Sequence, residues 1–578
     1  MAHQSLHPNR KTLKSLPSLT LLAWALGVAF VGTWLALALW ANLDASAARH
    51  MLFMDELITF DGVQWIYDAE SPAHAIRAAM ENDQRYGRTT FYLSTLASTI
   101  GDVLAGEQGR IVFTRMAFAL TLCAAICVLS WTMLETALGR ALAIGAGLTV
   151  PMASYYATMP KPDPLMLLFL GLYVLSWKRN GHGLGLSMIW LGLGFGAKIA
   201  ALPALIILLP LAALQTRLTG LNVNRALIKD SALGFLAGFL ISVPIIVSRF
   251  PIGFMDYANQ TWLNRHHFHD VPTTGVLDWM GLIITSAFFG DGWITLGVIG
   301  ILAGCIVGAG WLAIGRPRTM GASISGLEAL AKSHDYVKIA TTLAGAGMLG
   351  AIMISTDRLW MFYLFPGALL VTLGSAGALE RIATAREALK RPVRVAVLAL
   401  ASLAFGASSY AGVQYLYSDF QDHAARSKSE QFIQQSAMYD ALMATADEAA
   451  LAKAGRTPDG EDPTLVVAFS AHLWNPSSTE SIEFLPFYSA FWQWKIGADL
   501  VAMRQEHMNR AYQPEPVQER RSTLEAERLL PLHTDIAGPC TLAPCYRLLP
   551  PKVEGLFLFA RDPKADPIPP AQSPLTSS

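Results

Sequence analysis

"LGRALAIGAGLTVPMASYYATMPKPDPLMLLFLGLYVL", residues 138–175, holds two apolar runs, near 140–158 and 164–177, with almost no loop between them. A bilayer core about 30 Å thick needs roughly 20 apolar residues per helix, fewer where neighbours cover the ends. The runs therefore read as two membrane spans, and the join "YATMPKPDP", 156–164, must lie at a membrane face. That short join contains Lys161 and Asp163. Ionisable groups at the hydrocarbon boundary are costly to keep there, which makes both functional candidates.

The whole chain supports a membrane reading. Its 578 residues are 53% hydrophobic and 15% charged, against about 25% charged in an ordinary soluble domain. Lys plus Arg equals Asp plus Glu at 43 each, so there is no net field to gather nucleic acid. Further apolar runs lie near 17–41, 110–134, 183–197, 199–215, 230–248, 291–313, 338–354, 359–378 and 394–411, giving about eleven spans in all. The first follows Arg10, Lys11 and Lys14 and exceeds the roughly 7–15 apolar residues of a signal peptide, so it is expected to be an uncleaved span.

Residues 89–104 are short, rich in Ser and Thr, and contain Asp102. Leaving them out of the span count puts most loop Lys and Arg on the N-terminal side, the bias expected of cytoplasmic loops. They are therefore expected to form a helix at the outer interface. With the N-terminus inside and an odd number of spans, the chain after about residue 411 falls outside. The expected fold is an all-α polytopic membrane protein of about eleven helices, with interfacial helices in the first outer loop, 42–109. It carries a small extracytoplasmic α/β or α+β domain over 412–563 and a disordered Pro-rich tail over 564–578. "TLVVAFS" (464–470) and "GLFLFA" (555–560) are the strand-like pieces.

The outward loops then carry the chemistry. The first contains "HMLFMDELITFDGVQWIYDAES", 50–71, with Asp55 and Glu56 adjacent, followed by Arg88. Asp61, Asp68 and Glu70 are explained by solvation and by favouring a helix N-terminus. Asp163 also suits a helix start, because Asp-Pro opens helices well. Later outer segments add Lys198, which serves as a snorkelling anchor or a phosphate contact, and Arg358. "NRHHFHD", 264–270, offers His266, His267 and His269 as metal ligands, substrate or headgroup contacts, or a solvated interfacial loop. Cys540 and Cys545 in "CTLAPC" form a disulfide if that segment is outside the cytoplasm.

Taken together, the outer acidic pair after span one, "RYGRTTFYL" (85–93), the 138–175 stretch with Arg115 before it, "LGLGFGAKIAALPALIILLP" (191–210) and "TDRLWMFYLFPGALL" (356–370) resemble the GT-C glycosyltransferases. Within them, the set is most similar to the protein O-mannosyltransferases and lipid A aminoarabinose transferases. That resemblance implies transfer of a sugar from a polyprenyl phosphate to a lipid, polysaccharide or protein acceptor at the periplasmic face of a bacterial inner membrane. It implies Asp55 as the base toward the acceptor hydroxyl, with Glu56 as orienter or stand-in. Asp163 would orient the acceptor or share a metal or proton with Asp55. Arg88, Lys161 and Arg358 would neutralise the donor phosphate, and Lys198, where it is not a lipid anchor, would join them. It requires no cofactor, or at most a divalent cation.

Two other classes compete. A transporter or flippase would show matching halves and helices broken near the midplane, and no half-repeat is visible. A non-catalytic envelope assembly protein would need no carboxylates facing cations.

Overall fold

The computed structural model describes residues 17–46, 54–67, 69–81, 87–150, 152–221, 223–255, 328, 330–355, 363–384 and 391–425. Beyond these it describes scattered positions in 428–445, and 466–469, 482–485, 500–504, 546–549 and 556–561. The spans expected at 291–313 and at the start of 359–378 lie wholly or partly outside these residues. So do Arg358, the His266, His267 and His269 cluster, Cys540, Cys545 and the 564–578 tail.

The described chain is mostly helical. Its elements are α1 (Pro17–Ser46), α2 (Met54–Tyr67), α3 (Pro72–Glu81), α4 (Arg88–Met133), α5 (Ala137–Leu148), α6 (Tyr155–Thr158) and α7 (Asp163–Asn180). They continue with α8 (Met188–Ala197), α9 (Leu202–Leu218), α10 (Arg225–Ser242), α11 (Ile245–Ser248), α12 (His334–Ser355), α13 (Phe365–Thr384) and α14 (Arg391–Ala425). Ser18–Leu43, Gln108–Met133 and Ile199–Leu218 are long and apolar enough to cross a membrane, and each coincides with an expected run.

By its internal contacts the chain forms two compact units. One comprises Met1–Leu43 and Gly62–Ala424, the other Asp44–Asp61 and Ala425–Ser578. Within the first, α4 packs on α7, α8 on α10, and α12 on both α9 and α13. Its buried core centres on α4 and α7, with Ile126, Leu129, Leu170 and Trp177 at or below 2% exposure. Lipid tails are as apolar as these side chains, so within a bilayer this burial stabilises through close van der Waals packing.

The segment 89–104 is joined to the following span as a tight hairpin. Ala105 (φ −149°, ψ 21°) and Gly106 (φ 60°, ψ −151°) break α4 into two helices. The arms approach so closely that a Cβ on Gly101 would lie 2.2 Å from the carbonyl oxygen of Gly109. Arg110 Nε reaches Asp102 Oδ1 at 3.3 Å, and Tyr67 shares a 2.8 Å hydrogen bond with Thr99. The first arm buries Phe91, Ser94 and Ser98 while exposing Leu96, Ile100, Val103 and Leu104. Exposed apolar groups over an inward polar face suit a helix surrounded by lipid rather than water.

Helix ends follow the local sequence. α7 opens on Asp163-Pro164 and stops at Gly181, whose φ of 74° is the left-handed turn favoured after a helix, with Lys178 and Arg179 in its last turn. The start of α5 is held from a distance. The Glu380 carboxylate of α13 accepts from the backbone N–H groups of Glu135 and Thr136, both at 2.7 Å. Glu135 itself faces Lys338 at 3.2 Å and Lys178 at 3.5 Å. Burial pushes the Glu135 carboxyl up, but the two lysines outweigh it and hold it below its ordinary value. Glu380→Ala should cost about 1–2 kcal/mol through the lost cap, read as a lower unfolding midpoint in detergent, with Glu380→Gln recovering part of it.

The second unit contains a five-stranded sheet in the order β2-β1-β3-β5-β4. Its strands are β1 (Val466–Phe469), β2 (Ile482–Leu485), β3 (Leu500–Arg504), β4 (Tyr546–Leu548) and β5 (Leu556–Arg561). β1 pairs in parallel with β2 and β3, while β5 pairs antiparallel with β3 and β4. Parallel neighbours need crossover connections, so this is no simple hairpin array.

Candidate functional site

Asp163 is the first residue of α7 and only 1% exposed. A carboxylate in that position is favoured by the helix dipole, yet burial alone would penalise its charge. Lys198 supplies the compensation. Its Nζ donates to Oδ1 at 2.8 Å and to Oδ2 at 2.7 Å, so the ammonium sits across both oxygens. Lys198 reaches Asp163 because it lies where the chain leaves helix: its backbone is extended (φ −154°, ψ 127°) between α8 and the 3₁₀ turn Ile199–Ala201 that leads into α9.

The walls of this pair are aromatic. Tyr156 is fully buried, lies within hydrogen-bonding reach of Asp163 and packs its ring 4.8 Å from that of Phe365. The Tyr363 ring lies 5.6 Å from Lys198 Nζ. Lys161, 3% exposed, stands 5.0 Å from the ring of Tyr155. Such rings attract a cation through their electron-rich faces and exclude water from the pair.

Arg88 joins the same region through the backbone. The N–H of Gly87 donates to the carbonyl of Ala197, the residue before Lys198, at 3.1 Å. The fit there leaves no space for a side chain: a Cβ on Gly87 would lie 2.2 Å from the Gly196 oxygen and 2.6 Å from the Ala197 Cα. Arg88 begins α4 at 2% exposure, its guanidinium carbon 5.4 Å from the Phe91 ring. Gly87→Ala must push the 87–88 segment off the end of α8. The expected result is a destabilisation of about 1–3 kcal/mol in a thermal melt, whereas Gly32→Ala, with nothing within 4 Å of its added methyl, leaves the midpoint unchanged.

Four of the expected residues, Arg88, Lys161, Asp163 and Lys198, thus lie in the first unit, buried or nearly so, on segments that touch. Asp55 and Glu56 belong to the second unit, where both lie on α2 and Glu56 is fully buried. Sequence reasoning treated Lys198 as a lipid anchor or phosphate contact and overlooked that Asp163 engages it. It also overlooked Tyr156, Tyr363 and Gly87. The Gly in "RYGRTT" next to a candidate Arg was the signal available for the last of these.

The arrangement has a simple charge balance. Asp163 and Lys198 cancel each other, and an ammonium has three donors, so one remains after both carboxylate oxygens are met. Arg88 and Lys161 are two further cations, both buried, on segments that touch this pair. Among the described residues no group of three or more His, Cys, Asp or Glu is placed to hold a metal ion.

Two solved structures are similar to the chain over nearly its whole length. The crystal structure of ArnT from Cupriavidus metallidurans in the apo state matches with 14% identity, 94% of this chain, 99% of that chain and a TM-score of 0.45. ArnT from the same organism bound to undecaprenyl phosphate matches with 14% identity, 94% of this chain, 100% of that chain and a TM-score of 0.44. No protein-family model and no curated protein matches the sequence.

Proposed function

We propose that the chain is an inverting glycosyltransferase of the membrane, transferring a sugar from a polyprenyl-phosphate donor to an acceptor hydroxyl at the outer membrane face. The observation that carries the reading is the burial of Arg88 and Lys161 beside a neutralised Asp163–Lys198 pair. Cations buried close to such a pair favour a site that receives negative charge, and the leaving phosphate is such a group. The topology that goes with it has about eleven spans, the N-terminus inside and the residues after the last span outside.

In this reaction the acceptor oxygen bonds to the anomeric carbon as the bond from that carbon to the phosphate oxygen breaks. One displacement inverts the anomeric centre. The acceptor proton is assigned to Asp55 on the strength of the family resemblance alone, and the electron pair of the broken bond goes to the phosphate, which leaves on its polyprenyl chain with one more negative charge. Arg88 and Lys161, already oriented by their aromatic neighbours, stabilise that charge without rearranging. Lys198 holds Asp163 and lends its remaining donor to the phosphate, while Asp163 with Tyr156 fixes the floor against which the acceptor is oriented. Arg358 is assigned to the same phosphate on the strength of the family resemblance.

Purified protein in detergent, given radiolabelled sugars on polyprenyl phosphate and a membrane extract, should transfer label to an acceptor in the extract. The same sugars on a nucleoside diphosphate should not serve. Transfer from the nucleotide donors, or from none of a panel of hexose and pentose lipid phosphates, would overturn the reading. A parallel assay with EDTA decides whether a divalent cation takes part.

A further inference from the structure

A second polar site lies at the far end of α7. That helix has 18 residues, so its ends are about 27 Å apart at 1.5 Å per residue, and the Asp163 end cannot serve both. At the Asn180 end, Trp177, Lys178, Gln215, Lys332, Ser333 and His334 are among the residues lining a cavity of about 220 Å³. This is smaller than the roughly 300 Å³ at which pockets for drug-sized molecules begin, and so suits a small polar group.

The cavity wall is built rather than incidental. Trp177 Nε1 donates to Gln215 Oε1, and Gln215 Nε2 donates to the Ala331 carbonyl at 2.7 Å, tying α7, α9 and the turn before α12 together. Lys178 is fixed by a 2.7 Å hydrogen bond from its Nζ to the Thr132 carbonyl. Of the acids nearby, Glu135 is met by Lys178 and Lys338 and lies in the field of His334, while Asp335 faces Lys338 and Arg381, which leaves Lys332 as the cation of the lining outside these pairs among the described residues. Lys332 and His334 stand exposed in the lining, and Lys332 forms no ion pair among the described residues. His334 is also the first residue of the 22-residue α12, whose dipole adds positive potential there.

We infer that this cavity binds a phosphate group, on the membrane face opposite the Asp163–Lys198 pair, with Lys332, His334 and Lys178 as its cationic contacts and Ser333 as a hydroxyl donor. The phosphate belongs either to an anionic phospholipid headgroup or to a free phosphate.

The test uses the full-length protein with two probes. Native mass spectrometry counts retained phosphatidylglycerol against phosphatidylcholine, and equilibrium dialysis measures labelled inorganic phosphate. Retention of phosphatidylglycerol alone assigns a lipid headgroup; saturable phosphate uptake assigns the free ion. In either case Lys332→Ala with His334→Ala should weaken binding roughly tenfold, since each cation near an anionic headgroup contributes a few-fold. Lys332→Arg should retain it, and Lys229→Ala, on the exposed surface of α10, should leave it unchanged. Binding of neither probe overturns the inference. So does an equal loss in Lys229→Ala, which would mean diffuse attraction to a basic face.

Discussion

Lys198→Met should lower the unfolding free energy by about 3–5 kcal/mol, the usual cost of leaving a buried charge without its partner. The expectation rests on asymmetry. Asp163 is 1% exposed and both its oxygens meet the same ammonium, so removing that ammonium strands a carboxylate where water cannot replace it. Asp163→Asn should cost less, because the Lys198 side chain, 15% exposed, keeps some access to solvent. The double variant should be more stable than Lys198→Met alone, since neither charge is then left over. All three are compared by thermal unfolding in detergent. Single variants within about 0.5 kcal/mol of wild type would mean the pair behaves like a surface ion pair, and the buried floor of the site would be lost with it.

Asp55→Asn should leave the unfolding midpoint near wild type and slow sugar transfer about 10²–10⁴-fold, the usual contribution of a positioned base. Asn is close in shape and cannot take the acceptor proton, so the rate isolates the proton step. Asp55→Glu should recover part of the rate. Glu56→Gln separates the two neighbours. Glu56 is fully buried, so its loss should appear first in stability, with a smaller effect on rate in the protein that remains folded. Transfer by Asp55→Asn within threefold of wild type assigns the base elsewhere.

The helical body was readable because span length and apolar continuity are one-dimensional quantities. The runs at 17–41, 110–134 and 199–215 are now Ser18–Leu43, Gln108–Met133 and Ile199–Leu218. The hairpin within α4 was not readable. Whether 89–104 stands apart from the next span depends on two backbone angles at Ala105 and Gly106 and on glycine contact between arms, and a hydropathy window averages over both. In the second unit, "TLVVAFS" and "GLFLFA" stood out because they are unbroken apolar runs, while β2 and β4 are interrupted by Glu483 and Arg547. For the site, residue type and membrane face singled out Arg88, Lys161, Asp163 and Lys198. Who pairs with whom was hidden: Lys198 is 35 residues from Asp163, and only the break between α8 and α9 turns its side chain back to it.

One consequence concerns the bilayer itself. α7 is fastened by charge at both termini, by Asp163 to Lys198 and by Lys178 to Glu135. In the proposed topology α7 crosses the bilayer, and a helix held so behaves as a strut of fixed height, unable to slip along the membrane normal without breaking an ion pair. When the surrounding lipid is thinner or thicker than this strut, the mismatch falls on acyl-chain stretching, on snorkelling side chains and on the tilt of less tethered helices. In that topology the separation between the two membrane faces at this point follows from the protein, and the lipid adjusts to it.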